Sequence, residues 1–257
     1  MELLIGGWSE TSLVDVLEHV SFTVWLAYCN FRCPWCSNSR LARGLDAKRV
    51  PVDEVVEAAA DAAPFVDYFH VTGGEPTLQA AALTELLRRV ARRTGLPLSL
   101  DTNASTPRIL QRLLSEVEVD HIAIDVKAPL DDPAGYARAT GLPLRLAARL
   151  LPLVREGVRL AARHARFLEL RSTMAPGILD AAGVARVAGS IAALGLEPRG
   201  RAVYVVQQFI PYEGVPEAFR QRPATPPEEV YEAARRVELP GFEVWARTLA
   251  DGAKRIK

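Results

Sequence analysis

The chain has 257 residues, a length that fits one large α/β domain as well as two small ones. Hydrophobic residues make up 49% of it and charged residues 24%, so the composition excludes a disordered protein. The 31 basic and 31 acidic side chains cancel, and this balance argues against general electrostatic binding of nucleic acid.

Six segments rich in β-branched and aromatic residues predict strands. In chain order they are Ser21–Tyr28, Tyr68–Thr72, Leu96–Leu100, His121–Val126, Arg166–Thr173 and Ala202–Gln207. Between them, apolar residues at helical spacing, capping residues and terminal glycines predict helices. The predicted helices are Val52–Ala63, Leu78–Thr94, Pro107–Val117, Leu144–Val158, Asp180–Leu194 and Pro227–Val237, with a last short strand at Gly241–Arg247.

The alternation of strand and helix predicts an α/β fold in which parallel strands are joined by right-handed crossovers and covered by outer helices. We expect one domain over residues 1–257. The N-terminus lacks the basic and apolar regions of a secretory signal, and no apolar run reaches the length of a membrane span. We therefore expect a cytoplasmic protein without a membrane partner.

Polar residues follow the carboxyl end of every predicted strand. Active sites form at that edge of parallel sheets and barrels. The polar residues that follow the six predicted strands therefore predict a single site there. The residues are Cys29, Cys33, Cys36, Gly73, Gly74, Glu75, Asp101, Thr102, Asn103, Asp125, Lys127, Arg171, Gln207 and Gln208.

Three cysteines lie within eight residues and there are no others, a pattern that does not make a disulfide framework. Cys29, Cys33 and Cys36 have the spacing C-x3-C-x2-C. Three thiolates suit a [4Fe–4S] cluster and leave one iron open for a substrate. A structural zinc site would need a fourth ligand, such as His19 or His70, and buried inert thiols are the remaining alternative.

This cysteine motif, followed by Gly73-Gly74-Glu75-Pro76 after the next predicted strand, resembles the radical S-adenosylmethionine (radical SAM) superfamily. The resemblance covers nearly the whole chain and implies a partial (β/α)6 TIM-like barrel, with the cluster loop at 29–36 and residues 210–257 closing it. It implies that Cys29, Cys33 and Cys36 are the catalytic cluster ligands. The open iron would bind S-adenosylmethionine, and reductive cleavage would give a 5′-deoxyadenosyl radical that abstracts a hydrogen atom.

The same resemblance implies that Gly73, Gly74 and Glu75 accept hydrogen bonds from the methionine ammonium and that Trp35 packs by the adenine. Each residue also has a plain structural interpretation. Glu75 would then open a helix after a turn, and Trp35 would be a core side chain.

Asp101-Thr102-Asn103 and Asp125-Val126-Lys127 resemble segments of the glycyl-radical-enzyme activases, such as the pyruvate formate-lyase activating enzyme. The resemblance implies that Lys127 meets the cofactor carboxylate and that Asp101, Thr102 and Asp125 frame a monovalent cation. Asn103 and Arg171 would line the cofactor pocket. Ala104 replaces the usual glycine, and turn-capping aspartates, a solvated Lys127 and a surface Arg171 are the alternatives.

The stretches Ser12–Asp15, Cys29–Asn38 and Gln207–Pro211 are similar to anaerobic ribonucleotide reductase activating proteins, although Ser37 stands where histidine is common. This similarity implies a large glycyl-radical enzyme as protein substrate and a flavodoxin- or ferredoxin-type electron donor. The alternatives are a radical SAM enzyme acting on a small molecule or tRNA, like 7-carboxy-7-deazaguanine synthase, and a non-catalytic metal-binding module.

Overall fold

Ten strands and eight helices make up the computed structural model, which describes all of residues 1–257. The strands are β1 Glu2–Val16, β2 His19–Leu26, β3 Lys48–Pro51, β4 Tyr68–Gly73, β5 Leu98–Thr102, β6 His121–Asp125, β7 Phe167–Met174, β8 Arg201–Gln208, β9 Glu243–Thr248 and β10 Gly252–Arg255. The helices are α1 Val52–Ala62, α2 Ala80–Thr94, α3 Pro107–Glu116, α4 Pro133–Thr140, α5 Leu144–His164, α6 Ala181–Ala192, α7 Glu217–Arg220 and α8 Pro227–Arg236. No helix is both long enough and apolar enough to cross a membrane.

The chain forms two compact units. The first contains Met1–Asn30, Arg40–Thr102 and Arg108–Ile122. The second contains Phe31–Ser39, Asn103–Pro107 and Ala123–Lys257. The expected single domain over residues 1–257 stays a prediction.

The first unit is a sheet with the strand order β3-β1-β2-β4-β5. β1 pairs antiparallel with β2 and β3, whereas the β2–β4 and β4–β5 pairs are parallel. Helices α1 and α2 present apolar faces with a spacing of three and four residues, which is the period of a helix with one buried side. The buried side chains include Val52, Val55, Val56 and Ala59 of α1 and Leu83, Leu86, Leu87 and Val90 of α2.

The second unit has the strand order β7-β8-β9-β10. The β7–β8 and β8–β9 pairs are parallel, and β10 is antiparallel to β9. Helix α8 packs on β8 and β9 and against α6. The parallel pairs place the carboxyl ends of β7 and β8 at one edge, where Met174 and Gln208 are the last strand residues.

All six predicted strands form, and their ends differ from the prediction by no more than two residues. The α/β class is therefore confirmed. The predicted end of α5 at Val158 is wrong, because Leu160, Ala161 and Ala162 continue its buried face and the helix runs to His164. The predicted strand Ser21–Tyr28 forms as β2 and leads into the cysteines, and an additional strand, β1, precedes it.

Strands β1, β3 and β10 and helices α4 and α7 were not predicted. β1 contains Gly6-Gly7 and a polar run from Ser9 to Ser12, and it is stabilised by pairing with β2 rather than by an apolar pattern. All four residues of β10 are exposed, so the strand has no apolar signal at all.

Candidate functional site

The cysteine loop begins three residues after β2. Cys29 belongs to the first unit and Cys33 and Cys36 to the second. All three side chains are partly exposed and none forms a disulfide. The Cys36 amide donates to the Cys33 carbonyl at 3.3 Å, so these two cysteines share one turn of the chain.

The start of the loop is fixed by its backbone in the first unit. The Tyr28 amide donates to the Leu41 carbonyl at 3.1 Å and the Cys29 amide to the Ala42 carbonyl at 2.9 Å. The Glu75 amide donates in turn to the Tyr28 carbonyl at 2.7 Å. Tyr28 has a φ of 70°, a left-handed conformation that is uncommon outside glycine.

The two glycines after β4 allow this close approach. A Cβ on Gly74 would lie 1.9 Å from the Tyr28 carbonyl oxygen, and Gly73 has a φ of 119°. Neither position accepts a side chain without moving the backbone beside Cys29. The Gly-Gly pair therefore seats the first residue of the cysteine motif.

Glu75 is completely buried, and one carboxylate oxygen receives three hydrogen bonds. The donors are the Thr77 amide at 3.2 Å, the Thr77 hydroxyl at 2.6 Å and the Thr102 hydroxyl at 2.8 Å. The bond from the Thr77 amide caps the turn Pro76–Gln79. Both interpretations of Glu75 thus keep support, because the residue opens a helical turn and also holds a fixed carboxylate after β4.

Asp101 ends a line of polar side chains across β4, β5 and β6 in the first unit. Its carboxylate accepts from the Thr72 hydroxyl at 2.9 Å, and its Oδ2 lies 3.7 Å from His70 Nε2. His70 Nδ1 is 2.6 Å from the Ser99 hydroxyl, which is 2.7 Å from His121 Nδ1. His70 is completely buried, so it is not an exposed ligand.

Asp125, Lys127 and Arg171 meet in the second unit. Lys127 Nζ lies 3.2 Å from one oxygen of Asp125, and Arg171 Nε lies 2.8 Å from the other. Burial would raise the pKa of Asp125, but the two cations outweigh it and hold the pKa well below its usual range. Arg171 is 8% exposed, so it is not a surface charge.

Lys127 also joins this cluster to the cysteine loop. Its ammonium lies 5.0 Å from the centre of the Trp35 ring, a cation–π distance. Burial would lower the pKa of Lys127, but the negative charges of Asp125, Cys33 and Cys36 raise it above the usual value. Lys127 is therefore a fixed positive charge beside two of the cysteines rather than a solvated side chain.

Trp35 is held on two sides. Its indole nitrogen donates to the Ala139 carbonyl at 3.0 Å. Its ring packs on a buried apolar cluster that includes Phe209 and Phe219. The predicted contact with adenine stays a prediction, and the ring is as well placed to shield Lys127 from water.

Asn103 and Ala104 form the turn after β5. The Asn103 side chain accepts from the Ser105 amide at 3.0 Å, and Ala104 has a φ of 59°. This left-handed conformation is the one that a glycine adopts easily. The turn therefore keeps its geometry although Ala104 replaces the glycine that the resemblance implies.

Each member of the predicted cation site has another partner. Asp101 accepts from Thr72, Thr102 donates to Glu75, and Asp125 pairs with Lys127 and Arg171. No three His, Cys, Asp or Glu side chains converge as ligands of a single metal ion. The thiolates of a [4Fe–4S] cluster bind different irons, so such a cluster does not require that convergence. The cation site stays a prediction.

The donor set of the cysteine loop fits an iron–sulfur cluster. Three thiols without disulfides lie on one short loop, and Lys127 supplies a positive charge beside Cys33 and Cys36. The loop is also seated by two glycines of the second unit. A Cβ on Gly141 would lie 2.1 Å from the Arg32 carbonyl oxygen, and one on Gly214 would lie 1.8 Å from that of Ser37.

Sequence reasoning missed Tyr136 and Gly141, which lie in and just after α4. The available signal was Asp132-Pro133, an N-cap residue followed by proline at the first helical position. The Asp132 carboxylate does accept from the Gly135 amide at 2.8 Å.

Comparison with known proteins places this geometry in a family. The model of the Radical SAM superfamily matches residues 24–156. A Methanocaldococcus jannaschii protein, provisionally named a glycyl-radical enzyme activating enzyme, is 28% identical over 91% of this chain and 92% of its own length. The 7-carboxy-7-deazaguanine synthase of Hyperthermus butylicus is 36% identical over 129 residues, which are 47% of this chain and 53% of the synthase.

Solved structures share the fold. Streptococcus suis SuiB bound to its precursor peptide has a TM-score of 0.59 at 13% identity, over 85% of this chain and 46% of SuiB. Methylornithine synthase has a TM-score of 0.55 at 15% identity, over 84% of this chain and 61% of the synthase. The chain thus spans about half the length of SuiB and of the deazaguanine synthase. These similarities confirm the predicted partial (β/α)6 fold.

The matched region is more than half of the chain and contains the cysteine loop, Gly73-Gly74-Glu75, Asp101 and Lys127. The chain therefore belongs to the Radical SAM superfamily.

Proposed function

We propose that this radical SAM enzyme takes a hydrogen atom from a glycine of a large partner protein and so installs a glycyl radical on it. One observation carries the proposal. The provisionally named activating enzyme of M. jannaschii aligns over 91% of this chain and 92% of its own. An alignment over nearly the full length of both proteins includes the substrate-binding regions as well as the cofactor site.

The cofactors of the superfamily are a [4Fe–4S] cluster and S-adenosylmethionine. Cys29, Cys33 and Cys36 would hold the cluster, and the three thiolates leave one iron open. When bound, the cluster supplies the electron that cleaves S-adenosylmethionine and yields a 5′-deoxyadenosyl radical. A flavodoxin- or ferredoxin-type protein is the proposed electron donor.

The chain's own residues bind, orient and shield this site in the proposal. Gly73, Gly74 and Glu75 provide backbone and carboxylate acceptors for the methionine ammonium, since the glycines permit close approach. Lys127 offers a fixed positive charge to the cofactor carboxylate, and Arg171 holds Asp125 so that Lys127 keeps its position. The aromatic cluster around Trp35 excludes water from that side.

A second candidate function is 7-carboxy-7-deazaguanine synthesis. The synthase of H. butylicus has a higher identity, 36%, than the M. jannaschii protein has. Its match covers only about half of either protein, however. A match of that extent supports shared radical chemistry more than a shared substrate, so we rank this function second.

The test measures whether a hydrogen atom is transferred from a glycine of the partner to 5′-deoxyadenosine. The reconstituted enzyme is incubated anaerobically with S-adenosylmethionine, a reductant and a glycyl-radical enzyme from the same genome that carries α-deuterated glycine. We expect deuterium in the 5′-deoxyadenosine and a glycyl radical signal in the electron paramagnetic resonance (EPR) spectrum of the partner. Normal cleavage without deuterium transfer or a partner radical would contradict the proposal, and Cys33→Ala is the inactive control.

A further inference from the structure

Tyr136 is a buried tyrosine whose hydroxyl has no hydrogen-bond partner. The side chain is 0% exposed, and its ring meets Phe31 edge-on, with the ring centres 6.1 Å apart at an interplanar angle of 86°. The hydroxyl oxygen is buried and makes no hydrogen bond. Burying a hydroxyl without a partner costs folding free energy, so proteins rarely leave one unpaired without a reason.

Tyr204, in the same unit, shows the ordinary arrangement. It is also completely buried, but its hydroxyl donates to the Ser172 hydroxyl at 2.8 Å. The two tyrosines have the same chemistry and burial and differ in whether the protein supplies an acceptor. The Tyr136 hydroxyl is therefore a donor for which the packed core supplies no acceptor.

The surroundings of Tyr136 identify that acceptor. Helix α4 packs on the cysteine loop, because the Arg32 amide donates to the Thr140 carbonyl at 2.8 Å and Trp35 donates to Ala139. Phe31, Arg32 and Trp35 of the loop all contact α4, and Cys33 lies between them in the chain. Asp125 and Lys127 are the other charged groups whose electrostatic effect reaches the hydroxyl. Lys127 can only donate. Each oxygen of Asp125 already accepts from a cation, Lys127 or Arg171, which offsets its charge, whereas the Cys33 sulfur lies in the loop that α4 covers.

Burial raises the pKa of Tyr136 above its usual value, and the Cys33 and Asp125 charges add to this effect against that of Lys127. The hydroxyl therefore keeps its proton at neutral pH and stays a donor. A thiolate sulfur is an acceptor that becomes stronger as negative charge collects on it.

We infer that Tyr136 donates a hydrogen bond to the sulfur of Cys33 when that sulfur ligates the cluster, and that this bond raises the cluster's reduction potential. The inference rests on the function proposed above, in which Cys33 is a cluster ligand. A hydrogen bond to a ligating sulfur offsets negative charge, and the reduced cluster carries more of it. Tyr136 is thus a positioning residue that makes the one-electron reduction easier for the external donor.

The test is an anaerobic redox titration of the reconstituted protein, followed by EPR, for wild type, Tyr136→Phe and the matched control Tyr204→Phe. All three should bind about four irons per chain. We expect the ratio of reduced to oxidised cluster at a fixed potential to fall about tenfold in Tyr136→Phe, a shift of about 59 mV to lower potential. Tyr204→Phe should titrate like wild type.

Thermal unfolding of the iron-free proteins gives a second readout. Tyr136→Phe should melt no lower than wild type because it removes an unpaired hydroxyl, whereas Tyr204→Phe should melt lower because it removes a hydrogen bond. An unchanged cluster potential in Tyr136→Phe, or a lowered melting temperature in its iron-free form, would overturn the inference while the cluster and the proposed function stand. A wild-type protein that binds no cluster would instead overturn both.

Discussion

Lys127 is the residue on which the charges of the second unit converge. Its ammonium meets Asp125 and the Trp35 ring, and its side chain is 11% exposed. A lysine held in this way has little freedom to move, so its charge acts at one position. The alternative of a solvated lysine is therefore wrong, and the remaining question is what the charge binds.

Replacing Lys127 by methionine tests its proposed role in cofactor binding. Because a charge-assisted hydrogen bond to the cofactor carboxylate would be lost, we expect the KM for S-adenosylmethionine to rise about tenfold. The iron content should stay unchanged. Lys48→Met is the matched control, since Lys48 also lies over a tryptophan ring, at 5.3 Å from Trp8, but is exposed. Equal KM values in the two variants would contradict the role of Lys127.

Ala104 gives a stability prediction of opposite sign to the usual alanine-to-glycine change. A left-handed alanine costs about 1–2 kcal/mol, which glycine avoids, while glycine's freer unfolded chain costs about 0.4–1 kcal/mol. We expect Ala104→Gly to raise the free energy of unfolding by up to about 1.5 kcal/mol in chemical denaturation.

Ala58→Gly, in the middle of α1, is the control for that measurement. A helical glycine should lower the free energy of unfolding by about 1 kcal/mol. If Ala104→Gly destabilises the protein as much as Ala58→Gly, the left-handed turn at Ala104 is not formed.

At the scale of elements, helix α4 is the support of the cysteine loop. Its carboxyl end receives hydrogen bonds from Arg32 and Trp35, and it carries Tyr136. Gly141, which follows it, has a φ of 68° and touches the Arg32 carbonyl. A short helix thus sets the position of the residues on both sides of Cys33.

Gly141→Ala should disturb this support. A Cβ would approach the Arg32 carbonyl oxygen to 2.1 Å, so the loop must shift. We therefore expect the iron bound per chain after reconstitution to fall at least about twofold. Gly95→Ala provides the matched control, because Gly95 has a φ of 71° at the end of α2 but nothing within 4 Å of its Cβ position. Both variants lose stability, and equal iron contents would argue against a supporting role of α4.

The sequence predicts the strands that carry the site better than it predicts the elements that hold them. β4 to β8 are apolar segments, with β-branched residues frequent in β4, β6 and β8, and each ends near a polar residue. Their position and the motif residues therefore follow from the local pattern. Helix α4 has only a weak apolar stripe, and its place beside the cysteine loop depends on tertiary contacts such as that of Trp35 with Ala139. Tyr136 belongs to no motif, and the role inferred for it rests on a buried hydroxyl without a partner, which only the structure shows.

For the whole molecule, the relatives bear separately on the cofactor chemistry and on the substrate. The M. jannaschii protein aligns over nearly the full length of both chains, whereas the deazaguanine synthase aligns over about half of each. The superfamily match at residues 24–156 includes the cysteine loop. The chemistry of the cofactors is thus supported independently of the choice of substrate.

The most direct measurement is the yield of 5′-deoxyadenosine from S-adenosylmethionine under anaerobic, reducing conditions, for wild type and Cys33→Ala. The account predicts a brown wild-type protein with about four irons per chain that forms 5′-deoxyadenosine and methionine in equal amounts, and a Cys33→Ala variant that forms neither. A wild-type protein that binds the cluster but leaves S-adenosylmethionine intact, or a variant that cleaves it as fast as wild type, would contradict the account.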